Sequence, residues 1–241
     1  MSTSVRFNPT LLGAVFLPVA LLAGTGAQAQ SFCASDGQPR PVALLERFIN
    51  ANCADCWTDP ATPKAGKGQV ALDWVVPGDK GDDAPLSAVA ARDGLSRLDA
   101  LETTVPAAAS VVTQRARGVA GSRLRVAHGL PLAGYLGTSI ELKPIPALAR
   151  KAPWSAWLAL VETLPAGTEG SPVERQLVRN LLQTGWDGRQ PLTKGDTNRF
   201  FDARSMSIAE GVNPERLSVV GWVQDAQGRL LVAAQSRCVT P

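Results

Sequence analysis

The sequence predicts an α/β protein: a mixed α and β portion over residues 30–150, then a β-rich C-terminal extension over 151–241. Three observations point there. Two apolar runs, PVALLERFIN (41–50) and QVALDWVVPG (69–78), read as strands and flank a Cys-x-x-Cys pair. A helical pattern follows at 86–102, and the last stretch, RLSVVGWVQDAQGRLLVAAQSRC (216–238), reads as a hairpin around Asp225–Gly228. The proline-rich passage IELKPIPALARKAP (140–153) sets a soft boundary near residue 150.

Residues 1–29 read as a secretory signal peptide rather than as part of the fold. Arg6 precedes the apolar LLGAVFLPVALLAG, which is too short to span a bilayer comfortably. Ala27-Gln28-Ala29 then forms a small-x-small cleavage site. A periplasmic or secreted protein is therefore expected, free of the membrane after cleavage. Cleavage removes Arg6 alone and leaves a nearly neutral chain, so nothing argues for a nucleic-acid partner. RARGVAGSRLR (115–125) is the one local basic cluster and reads as a solvated face.

All four cysteines, Cys33, Cys53, Cys56 and Cys238, lie beyond the signal segment. An even count in an exported chain points to disulfides, and four cysteines allow three pairings. The natural pairing joins Cys53 to Cys56 and Cys33 to Cys238. The second bond would be structural, tying the two ends of the mature chain.

Along the chain, SFCASDGQPRP (31–41) reads as a leader loop. After the strand at 41–50, NANCADC is turn-like. Pro60 and Pro63 keep any helix after Cys56 short. In 86–102, Leu86, Val89, Ala90, Leu95, Leu98 and Leu101 fall at helical spacing, with Ser87 as the candidate cap. TTVPAAASVVTQRARG (103–118) gives a turn at Pro106 and a strand around 109–114. SRLRVAHGLPLAGYL (122–136) is ambiguous between helix and hairpin. WSAWLALVETLP (154–165) alternates as a strand does, and Trp154, Trp157, Trp186 and Trp222 read as the core of the β-rich part.

Cys-Ala-Asp-Cys after a strand has a defined chemistry. A helix starting at the first cysteine would stabilise its thiolate, making Cys53 the nucleophile and Cys56 the resolving thiol of disulfide exchange. Asp55 opposes a thiolate at Cys53 by like-charge repulsion. A static local disulfide is the alternative. Zinc is the third reading, but Cys33 and Cys238 lack the paired spacing of a Cys₄ site.

The order strand, C-x-x-C, strand, helix, Pro-strand resembles a thioredoxin-like fold. It is similar in particular to the secreted family called domain of unknown function 1223. The matching stretches are VALLERFINANCADC (42–56), VALDWVVPGD (70–79), TTVPAAASVVTQRARG (103–118), VERQLVRNLLQTGWDG (173–188) and VVGWVQDAQGRLLVAA (219–234). The resemblance implies a thioredoxin-like domain over 30–150, with Pro106 facing the cysteine pair through a cis bond. The chain departs from Trp-Cys-Gly-Pro-Cys: Asn52 replaces the tryptophan, Asp55 the proline, and Trp57 follows the pair.

No G-x-S-x-G, H-E-x-x-H or Walker motif is present. The one histidine, His128, excludes a multi-histidine metal site and reads as a surface or turn residue. Asp79, Asp82 and Asp83 lack an EF-hand register. No cofactor or metal is expected. The expected activity is thiol–disulfide exchange with a protein partner through Cys53, Cys56 and Pro106. The alternative is a non-catalytic periplasmic binding or assembly protein with purely structural disulfides.

Overall fold

The strand β2 (Ala43–Asn50) is buried at all eight positions, including Glu46 and Arg47, because it lies inside a sheet covered on both faces. The structure, a computed structural model, describes residues 33–188 and 198–238 together with Met1. The predicted signal segment otherwise lies outside the described residues.

After β1 (Cys33–Ala34) and β2 come α1 (Ala54–Thr58), β3 (Gln69–Val76), α2 (Asp93–Ala100) and β4 (Ala109–Arg115). Then follow β5 (Arg123–His128), β6 (Tyr135–Lys143), β7 (Trp154–Leu164), β8 (Arg175–Trp186) and β9 (Phe200–Ser207). The chain closes with β10 (Leu217–Gln224), β11 (Leu230–Gln235) and β12 (Arg237–Cys238). One sheet has seven strands in the order β11-β10-β7-β8-β3-β2-β4; the other has five, β12-β1-β5-β6-β9.

This is a mainly β architecture, and it corrects the predicted α/β thioredoxin-like domain with an appended extension. Among the described residues the α-helices number two, of five and eight residues. The helical pattern at 86–102 yields only a 3₁₀ turn at Ser87–Val89 and then α2. Ser87 caps nothing; Arg92 holds the N-cap position of α2 without a side-chain bond. The flank of β3 is taken by β8, in parallel with Asp73 opposite Leu177. Strands from both sides of residue 150 thus share one sheet. The ambiguous 122–136 resolves as the antiparallel pair β5–β6.

Alternation along the strands sorts the two faces of the large sheet. Phe48, Leu72, Trp74, Trp157, Val161, Val220 and Trp222 form one core with Leu98 of α2. There Arg97 is fully buried, with Nε and Nη2 on the two oxygens of Glu46 at 2.8 and 2.7 Å. Its guanidinium lies 5.2 and 5.1 Å from the rings of Trp157 and Trp222, which stack at 5.8 Å. On the opposite face, Ala156, Leu158, Val219 and Val223 meet Leu124, Val126 and Ile140 of the small sheet. Gly221 sits where the sheets approach: a Cβ there would fall 2.5 Å from Val126 Cγ1. The four predicted core tryptophans are all buried.

Candidate redox site

The Cys53–Cys56 disulfide forms where β2 leaves the sheet, with S–S 1.99 Å. Asn50 builds the exit. Its Oδ1 accepts the Asn52 N–H at 3.0 Å, and its Nδ2 donates to Pro106 O at 3.0 Å. Gly78 is required beside it, since a Cβ there would fall 2.4 Å from the side-chain oxygens of Asn50 and Asn52. Asn52 in turn bonds Asp79. Pro106 is therefore brought to the same end of the sheet as the cysteines, linked through Asn50. Its predicted cis bond is not found: the cis peptide among the described residues is Lys143–Pro144.

Cys53 occupies the N-cap of α1, and its Sγ accepts the Cys56 N–H at 3.3 Å. Both cysteines are half-buried, while Ala54 and Asp55 are exposed. The helix is as short as Pro60 and Pro63 predict. Trp57 anchors its inner side, packed with Ile49, Val75, Leu164 and Leu177, and donates from Nε1 to Glu169 O at 2.8 Å.

A buried ionic group holds the helix from beneath. Arg175 donates from Nη2 to Trp57 O at 2.7 Å, to Cys56 O at 3.3 Å and to Thr62 Oγ1 at 3.1 Å. Its Nε reaches Ser171 Oγ at 2.9 Å, and Nη1 reaches Asp73 Oδ1 at 3.3 Å. The other Asp73 oxygen accepts Arg47 and the Gln176 N–H. Two arginines share the Asp73 carboxylate, and Asp59 adds a second negative charge near Arg175. Burial pushes the Arg175 guanidinium below its usual range, Asp73 opposes this, and Arg47 adds to it. Cations under the carbonyls of a last helical turn are favourably placed. The Cys56 N–H directed at Cys53 Sγ favours a thiolate there, and exposed Asp55 is screened by solvent.

Arg47, Asp73 and Arg175 were not among the predicted site residues. Their one sequence signal is a charge inside an apolar strand: Arg47 in LLERFIN and Asp73 in VALDWVV.

The second predicted disulfide, Cys33–Cys238, is also formed, with S–S 2.01 Å. Beside it stands His128, which is buried at 5% exposure in β5 and not on the surface or in a turn. Its Nδ1 lies 2.9 Å from Gly129 O. A carbonyl only accepts, so Nδ1 has the proton. Burial lowers the imidazole below its ordinary range, and the Gly129 carbonyl opposes this. A groove of about 810 Å³ runs past Arg47, Lys64, Glu174, Glu215, Arg237 and Cys238.

No protein-family model matches the chain, and no curated protein matches it either. Among solved structures, HBP35 of Porphyromonas gingivalis is similar with a TM-score of 0.47 and 10% sequence identity. That likeness covers 83% of this chain and 76% of that one.

Proposed function

We propose that this is an exported protein whose Cys53–Cys56 bond exchanges with a protein dithiol. Export is supported by the apolar segment ending in Ala27-Gln28-Ala29 and by four cysteines paired in two disulfides. The observation behind the exchange reading is the Cys56 N–H pointed at Cys53 Sγ, at the start of a helix that the buried Arg47–Asp73–Arg175 group holds from beneath. An incoming partner thiolate attacks Cys53, the S–S bond breaks, and Cys56 leaves as a thiolate. The partner's second thiolate then attacks its own sulfur in the mixed disulfide and releases Cys53. The partner dithiol is oxidised and the pair reduced; the reverse sequence reduces a partner disulfide. Pro106, held beside the pair by Asn50, takes the partner-facing position in this reading.

The test is a redox titration of the native full chain, with alkylation and mass analysis of Cys53 and Cys56. Reduction of this pair by a dithiol while Cys33–Cys238 persists supports the reading. With Cys56→Ser, the free Cys53 thiolate should attack a model peptide disulfide and accumulate as the mixed disulfide, the peptide's other sulfur leaving as a thiolate. A pair that stays oxidised in excess dithiol without unfolding overturns it. The groove of about 810 Å³ favours the second reading, a non-catalytic binding protein, in that event.

A further inference from the structure

Cys33 lies directly opposite Cys238 on one side and directly opposite His128 on the other. Strands β12, β1 and β5 are adjacent in that order, so the three residues form one rung across the small sheet. Directly opposed residues project from the same face of a sheet. A ring nitrogen of His128 and the two sulfurs accordingly lie within 4.8 Å of one another. Nδ1 is committed to Gly129 O, which leaves the lone pair on Nε2. That atom is buried and has no hydrogen-bond partner among the described residues. An unpartnered buried acceptor is uncommon and calls for an explanation.

We propose that reduction of Cys33–Cys238 turns this rung into a binding site for one Zn²⁺ ion, held by the two sulfurs and His128 Nε2. Two thiolates and one neutral imidazole are a zinc donor set. Zn–S bonds of about 2.3 Å in tetrahedral geometry put the sulfurs roughly 3.8 Å apart. The bonded pair must therefore separate, and the fold permits it. Cys33 is held between two strands, whereas β12, two residues long, pairs with β1 alone among the described residues. Cys238 is exposed and borders the large groove, from which water can fill the fourth position. The electron and proton balance is simple. A partner dithiol gives two electrons and two protons to the disulfide and becomes a disulfide itself. Zn²⁺ then displaces the two thiol protons. The disulfide and the metal are mutually exclusive occupants, so redox state decides whether the site exists.

The experiment uses the full chain carrying Cys53→Ser and Cys56→Ser, which removes the other pair of thiols. A water-soluble phosphine reduces the remaining disulfide, becoming phosphine oxide with oxygen from water. Zn²⁺ is then titrated by calorimetry, and Co²⁺ is added in parallel for its thiolate charge-transfer absorption. One ion per chain is expected in the reduced protein and none at this site in the oxidised protein. His128→Ala should weaken binding by more than the 10–100-fold typical of losing a single supporting residue. Should that variant fold poorly, the imidazole C–H resonances of the reduced His128-containing chain serve instead. His128 is the chain's one histidine, so its signals are unambiguous, and they should move with Zn²⁺ and saturate at one equivalent. Equal Zn²⁺ affinity in the oxidised and reduced chains, or zinc binding that leaves the His128 resonances in place, overturns the proposal.

Discussion

Arg175 Nη2 donates to the main-chain oxygen of Trp57 at 2.7 Å, across 118 positions of sequence. The helix bearing Cys56 is thereby closed by a strand from the far half of the chain. The same guanidinium sits 5.0 Å from the Trp57 ring and meets Asp73 below it. One side chain thus joins the helix, β3 and β8.

Arg175→Met should destabilise the oxidised protein by roughly 3–5 kcal/mol, the range for breaking a buried ion pair. Arg175→Lys should rescue little, because an ammonium cannot bridge two carbonyls and a carboxylate as a planar fork does. Urea denaturation of the three proteins checks this. A Lys variant as stable as the parent would show that the cluster acts as charge alone.

Gly221→Ala should cost about 1–3 kcal/mol through overpacking between the sheets. The new Cβ would fall 2.5 Å from Val126 Cγ1 and 3.0 Å from Ile140 Cδ1. Adding Val126→Ala should recover part of the loss, since the two sites share one contact. A double-mutant cycle on urea midpoints reads this coupling.

Cys33→Ser with Cys238→Ser should lower stability by up to about 5 kcal/mol, the chain-entropy value for so long a loop. The bond closes a sequence separation of 205 residues. The denaturant slope should rise as well, because the unfolded chain loses its cross-link and exposes more surface. Unchanged midpoints would mean that the β1–β12 pairing holds the termini by itself.

Asp225 fixes the β10–β11 turn, accepting the N–H groups of Gln227 and Arg229 at 3.0 Å and Arg229 Nε at 2.6 Å. Burial raises its carboxyl, but these donors outweigh it, so its folded value lies below the ordinary carboxylate range. A depressed carboxylate stabilises the fold above its unfolded value, near pH 4, and that contribution vanishes as pH falls through the folded value. Asp225→Asn should therefore be less stable than the parent at neutral pH, with the gap closing in acid. Thermal melts across pH 2–7 on both proteins test this.

Local signals reached the element level. The strands at 41–50, 69–78 and 154–165, the hairpin near Asp225–Gly228 and the short helix after Cys56 all follow from alternation, β-branched content and turn or proline chemistry. The same signals overstated the helix at 86–102, where hydrophobic spacing persists but the backbone takes a 3₁₀ turn first. They also left 122–136 undecided, because short apolar runs suit either state until a partner strand is present. His128 reads as a surface or turn residue for a related reason: its burial comes from neighbours on β6 and, far away in sequence, on β1.

By itself, the sequence determined the close Cys53–Cys56 spacing after a strand, the short helix there and the tryptophan-rich core, since each depends on residue type and near neighbours. Only the tertiary structure decided that β8 would flank β3, that Arg47, Asp73 and Arg175 would meet beneath the helix, and that Cys238, Cys33 and His128 would share a rung. Those relationships join residues of high sequence separation, and no local periodicity encodes register between distant strands. They are set by which buried faces and charges can satisfy one another once the sheets pack.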